Sequence, residues 1–282
     1  MKARCDFDAD ETMMLWPSRC SAGTGRAEDD FQPYMQVYLH PDRRRRPVLV
    51  IYPGGGYCIR APHEGIDVAE KFRSLGFHCV VVQYRVAPYR FPEEQRDALR
   101  AIRLVRANAE RWNMIPNQIS VCGFSAGGHL AGSTGVMYDK VNCDAGDEAD
   151  QYSCRPDALV LGYPVISFDA ETGHCGSGLH LLGEDQVAAR AAEFELDKLV
   201  TPDTPPAFVW HTAADQGVPV LGSLRFVTAL QKNGIQWGLH VFPCGRHGLG
   251  LAEAYHDIAR WPELVRDFLA EGIGLIFPGK DA

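Results

Sequence analysis

A chain of 282 residues with 46% apolar and 23% charged residues can bury a large core, in one α/β domain or two small ones. Its formal net charge of −8 argues against a nucleic-acid partner, which needs a basic face, and no apolar run reaches the length of a membrane span. The N-terminus carries Asp6, Asp8, Asp10 and Glu11 and lacks the apolar segment of a signal peptide, so a cytoplasmic location without a membrane partner is expected. The nine cysteines are accordingly expected as thiols, although Cys143, Cys154 and Cys175 fall in a loop-rich region where pairing stays open.

In chain order, residues 1–33 read as an irregular extension, with Leu15-Trp16-Pro17 as its anchor onto a single domain spanning 1–282. Gln36–Leu39 alternates like a short edge strand, and Val48–Tyr52 is apolar throughout, as a strand covered on both faces must be. The block Arg43–Arg46 between prolines reads as a solvated turn. Glu64–Leu75 has helical spacing and stops at Gly76. Cys79–Tyr84 is a second buried strand. Glu93–Trp112 is an amphipathic helix with Ala98, Ala101, Ile102 and Val105 inward and Arg96, Arg100, Arg103 and Arg106 outward. A helix from Ala126 fades near Met137, and the acidic stretch Tyr138–Arg155 reads as a solvated loop. Ala158–Tyr163, Ala207–His211 and Trp237–Phe242 are further strands. Helices are expected at Val187–Leu199, Leu221–Asn233 and Trp261–Leu269. Strands alternating with helices imply a mostly parallel sheet covered on both faces, with no large cap.

One stretch carries chemistry. Ile119–Phe124 leads into Ser125-Ala126-Gly127-Gly128, a G-x-S-x-G sequence between an apolar strand and a small-residue helix. Such a turn lifts the Ser125 hydroxyl to the carboxyl end of the strand, above a helix N-terminus. A serine hydroxyl needs a base, and the base needs an orienting anion. The order expected for this fold class is Ser, acid, His. Asp215 follows the strand Ala207–His211, and His247 follows the last strand. Asp169, Asp185 and Asp203 are less well placed relative to their strands. His211 and His240 lie in strands and read as packing, and His256 reads as surface. Gly54-Gly55-Gly56, directly after Val48–Tyr52, can turn N–H groups toward an oxyanion. Gly55, Gly56 and Ala126 are the expected donors.

Tyr57 and Phe124 flank those donors and are candidates to shape an acyl pocket. His63 and Glu64 follow the loop and are candidates to bond a sugar hydroxyl, with a helix-start role as the alternative for Glu64. The segment Asp169–His180 is a candidate lid. No C-x-x-C pair exists, His174-Cys175 with His180 is the nearest approach to a metal set, and no metal or organic cofactor is expected.

These features together resemble the α/β-hydrolase superfamily, and more narrowly the small esterases related to acetyl xylan esterases and other carbohydrate esterases. The resemblance rests on Pro53–Tyr57, Gln83–Pro88, Cys122–Leu130, Ser153–Asp157, Leu161–Ser167, Thr201–Pro206 and the blocks holding Asp215 and His247. It implies a serine esterase acting on small acyl esters, acetyl above all, of sugars or xylo-oligosaccharides. Pro53 stands where hormone-sensitive-lipase-like esterases carry His, which disfavours that branch and its helical cap. The alternatives are a serine peptidase on the same fold, for which no propeller repeat is present, and a non-catalytic binding member, which would be expected to have lost part of the triad. A homo-oligomer is left open.

Overall fold

The computed structural model describes residues 9–21 and 30–278. Eight strands form one sheet: β1 (Glu11–Met14), β2 (Tyr34–Tyr38), β3 (Arg46–Tyr52), β4 (His78–Gln83), β5 (Met114–Phe124), β6 (Ala158–Gly162), β7 (Ala207–Thr212) and β8 (Trp237–Phe242), in the spatial order β1-β2-β4-β3-β5-β6-β7-β8. The pairs β1/β2 and β2/β4 are antiparallel and every other neighbouring pair is parallel. Each crossover therefore returns over a face of the sheet, and both faces are covered.

The covering helices are α1 (Ile66–Ser74), α2 (Glu93–Ala107), α3 (Ser125–Val136), α4 (Cys175–Leu182), α5 (Val187–Arg190), α6 (Val220–Lys232) and α7 (Trp261–Asp267). Alternation along the strands sorts the core into two layers. Val48, Val50 and Tyr52 of β3 meet Ala98, Ala101, Ile102 and Val105 of α2 and Leu130 of α3 on one face. Leu49 and Ile51 meet Val68, Ala69 and Phe72 of α1 and Trp261 and Val265 of α7 on the other.

Several expectations need correction. The N-terminal extension is not irregular throughout: Glu11–Met14 pairs with β2 as an edge strand, because Asp10 N–H and the strand itself find acceptors and donors on that open edge. Residues 1–8 and 22–29 of that reading lie outside the described residues. The Leu15-Trp16 anchor is present, with Leu15 buried and the Trp16 indole N–H donating to Asp97 at 2.6 Å. Helix α2 stops at Ala107. Arg100 does not point to solvent: it is buried, donates to the carbonyl of Leu15 and pairs with Asp147 and Asp150. The acidic segment therefore supplies the counter-charge of a buried arginine instead of a free solvated excursion. The stretch 187–199 is broken into the short α5 and 3-10 turns at Ala191–Phe194 and Leu196–Lys198. Helix α4 forms inside the expected lid loop, because the His174 side chain accepts the N–H of Ser177 as its cap.

Candidate active site

The loops that follow β3, β5, β6, β7 and β8 converge at the carboxyl ends of these parallel strands, where ligands of open α/β sheets are bound. β5 runs directly into α3 at Ser125, whose φ of 54° is the left-handed region that side chains rarely adopt. The glycines on either side make this possible. A Cβ on Gly123 would lie 2.0 Å from the carbonyl oxygen of Gly127, and one on Gly127 would lie 2.3 Å from that of Tyr52.

The serine hydroxyl lies 2.8 Å from His247 Nε2, and His247 Nδ1 lies 2.7 Å from Asp215 Oδ2. A carboxylate only accepts, so Nδ1 carries the proton and the neutral ring presents a bare Nε2 to the Ser125 O–H. Asp215 is held on its other oxygen by the N–H groups of Gly217 and Val218 at 2.8 and 2.9 Å. Burial alone would raise the Asp215 pKa. Hydrogen bonds from His211, His247 and the Val218 N–H outweigh it and hold the carboxyl below the usual carboxylate range. His247 is further bracketed by the Tyr163 ring, edge to face at 5.1 Å. Ser125, His247 and Asp215 thus stand in one hydrogen-bonded line.

The glycine loop is braced from below. The Gly54 N–H donates to Glu64 Oε2 at 2.8 Å, and Glu64 Oε1 accepts the Tyr163 hydroxyl at 2.6 Å. Tyr163 in turn accepts the Gly250 N–H, and the neighbouring Val165 N–H donates to the carbonyl of Ser125. No acceptor among the described residues takes the N–H of Gly55, Gly56 or Ala126.

The four candidate substrate contacts divide. Tyr57 and Phe124 are fully buried, and the Tyr57 hydroxyl donates to His129 Nδ1 at 2.8 Å, so both act beneath the surface and touch no incoming molecule. Glu64 is 2% exposed and both its oxygens are committed to Gly54 and Tyr163, so it makes neither the expected sugar contact nor a cap on α1, which starts at Ile66 without a side-chain cap. His63 remains on the surface, with Nε2 3.2 Å from the carbonyl of Gly248 next to His247. The expected lid Asp169–His180 runs into helix α4, which leans on the glycine loop through His180 Nδ1 and the Gly56 carbonyl at 2.8 Å. Every cysteine among the described residues is a free thiol, and no cluster of His, Cys, Asp and Glu there has the makings of a metal site.

Sequence reasoning missed two members of the site. His211 reads as packing from its strand, yet its Nε2 lies 3.4 Å from Asp215 Oδ2. Its position four residues before Asp215, at the end of a strand aimed at the site, was the available signal. Tyr163 closes the strand Ala158–Tyr163, and its left-handed φ of 35° turns the ring toward His247.

Residues 35–230 match the family model BD-FAE. The chain belongs to the BD-FAE family of α/β-hydrolases. Among curated relatives, endo-1,4-beta-xylanase B of Butyrivibrio fibrisolvens is 38% identical over 228 residues, 79% of this chain and 35% of that protein. The acetylxylan esterase of Xylanibacter ruminicola is 30% identical over 241 residues, 81% of this chain and 46% of that protein. The chain thus spans less than half the length of either. An acetyl ester-xyloside bifunctional hydrolase from Caldicellulosiruptor lactoaceticus has a crystal structure that superposes with a TM-score of 0.87 at 41% identity, covering 94% of this chain and 97% of that one. The α/β-hydrolase fold expected from the sequence is the fold of the BD-FAE family member described here. Among its described residues no helix is long and apolar enough to cross a membrane.

Proposed function

We propose that this BD-FAE family chain is a serine esterase that hydrolyses small acyl esters, acetyl first among them, carried by sugars or xylo-oligosaccharides. The observation that carries the reading is the unbroken line Ser125–His247–Asp215 on a strained elbow. The Ser125 oxygen attacks the ester carbonyl while its proton passes to His247 Nε2, and Asp215 steadies the imidazolium. Negative charge developing on the carbonyl oxygen is met by the free N–H groups of Gly55, Gly56 and Ala126. Collapse expels the alcohol, which takes the proton from Nε2 and leaves an acyl-serine. Water then adds to the acyl carbon, gives its proton to Nε2, and the acid departs as Ser125 is reprotonated. Every step is carried by protein groups. The acetyl and xylan parts of the reading are supported by what the relatives are named for, an acetylxylan esterase and an acetyl ester-xyloside hydrolase.

The test is acetate release from acetylated xylo-oligosaccharides, run beside p-nitrophenyl esters of two to eight carbons. Short-chain preference and acetate release are expected. A preference for eight-carbon chains rejects the small-ester reading. The Ser125→Ala variant should fold and lose roughly 10⁴- to 10⁶-fold in kcat; near-wild-type turnover by it removes Ser125 from the reaction.

A further inference from the structure

Helix α4 brings two histidines to the rim of the Ser125 site, and the backbone fixes their tautomers in opposite senses. His174 Nδ1 lies 3.1 Å from the N–H of Ser177 and 2.8 Å from the Ser177 hydroxyl. A backbone N–H can only donate, so Nδ1 accepts and the neutral ring keeps its proton on Nε2. Burial, with His247 and His180 nearby, lowers the pKa of His174 against the opposing pull of Asp215, which favours the neutral ring. The His174 N–H donates to the carbonyl of Ser167, on the segment after β6 whose Val165 holds Ser125. His180 Nδ1 lies 2.8 Å from the carbonyl of Gly56, on the glycine loop itself. A carbonyl only accepts, so there Nδ1 donates and the neutral ring keeps a bare lone pair on Nε2. No group among the described residues bonds the Nε2 of either ring.

The result is one fixed donor and one fixed acceptor, both without partners among the described residues, on a helix that leans on the glycine loop. A sugar hydroxyl is both donor and acceptor, so a pair of hydroxyls can satisfy the two rings at once. The aryl or alkyl group of a simple ester carries no free hydroxyl and satisfies neither, and a site built to hydrogen-bond discriminates against ligands that cannot. We propose that His174 and His180 form a subsite for two hydroxyls of the sugar that bears the ester. His174 Nε2–H donates to one oxygen, and His180 Nε2 accepts the other O–H. The assignment rests on the sugar-ester reading given above and names the groups that would read the sugar.

The test uses asparagine, whose amide reaches about as far as Nδ1 and stops short of Nε2. His174→Asn keeps the cap of α4, and His180→Asn keeps the donor to Gly56. For each, kcat/KM is measured on an acetylated xylo-oligosaccharide and on phenyl acetate, together with inhibition of phenyl acetate hydrolysis by xylobiose. The expected result is a fall of about tenfold in the sugar-to-aryl selectivity ratio, expressed in KM, with xylobiose inhibition weakened to match. Equal losses on both substrates would mark a purely structural role and overturn the proposal. If the wild-type chain cleaves the sugar ester and the variants keep its selectivity, only the histidine assignment falls. If the wild-type chain hydrolyses phenyl acetate but neither releases acetate from the sugar ester nor is inhibited by xylobiose, the sugar reading falls and takes this assignment with it.

Discussion

Replacing Asp215 by asparagine asks one question of the site, because the structure dictates how the amide must sit. Asp215 Oδ1 accepts two backbone N–H groups, from Gly217 and Val218 at 2.8 and 2.9 Å. An NH2 group cannot occupy that position without setting donor against donor, so the amide oxygen takes it and the nitrogen lands where Oδ2 now faces His247 Nδ1 at 2.7 Å. A donor there is satisfied only if Nδ1 is bare, which moves the ring proton to Nε2. His247 then points an N–H at the Ser125 oxygen and cannot take its proton. The hydrogen bonds of the turn survive and only the long contact from His211 to that oxygen is lost, so the melting temperature should fall by a few degrees at most. The kcat on p-nitrophenyl acetate should fall about 10⁴-fold, or about 5 kcal/mol of transition-state stabilisation. Steady-state rates and thermal melts of the same preparation decide the matter. A folded variant that loses less than about a hundredfold would refute the tautomer argument and, with it, the role given to Asp215.

Two more outcomes can be measured directly. Glu64→Ala leaves the buried donors of Gly54 and Tyr163 without an acceptor, at about 1–3 kcal/mol each. It should lower the melting temperature and, by freeing the glycine loop, cut kcat more than KM, with Glu64→Gln recovering part of both; unchanged kcat would dissociate the brace from the chemistry. Burial lowers the pKa of His129 and of His78 from 6.5 to about 4, so in the unfolded chain each ring takes up its proton at a pH where the folded one stays neutral. Their stabilisation is complete above pH 6.5 and is lost as the pH falls toward 4, by about 3 kcal/mol per ring. Urea denaturation at pH 7 and at pH 4.5 should show the drop, and equal unfolding free energies at the two would contradict it.

What the sequence disclosed follows a physical pattern. The glycine loop, Ser125 and Asp215 each follow an apolar run that forms a buried strand, and His247 follows the partly exposed edge strand β8, whose carboxyl end points the same way. Local pattern was therefore enough to place them. The brace under the loop was hidden because Glu64 and Tyr163 stand 99 residues apart and nothing local announces their meeting. Arg100 was misread for a related reason. Helical periodicity correctly puts it on the face away from the sheet, but the segments around Leu15 and Asp147 fold over that face. The same holds for α4: the stretch 169–183 has loop composition, and its helix depends on a histidine cap that propensity does not anticipate.

The left-handed backbone at Ser125 sets stability and turnover against each other at a single residue. A non-glycine held there costs of the order of 1–3 kcal/mol, a sizeable part of the 5–15 kcal/mol or so that separates a folded domain from its unfolded chain. Glycine at this position would relieve the cost and remove the proposed nucleophile in one step. A library of this chain screened for heat resistance alone would therefore enrich inactive molecules at position 125, and only selection that reads ester cleavage would keep the serine in place.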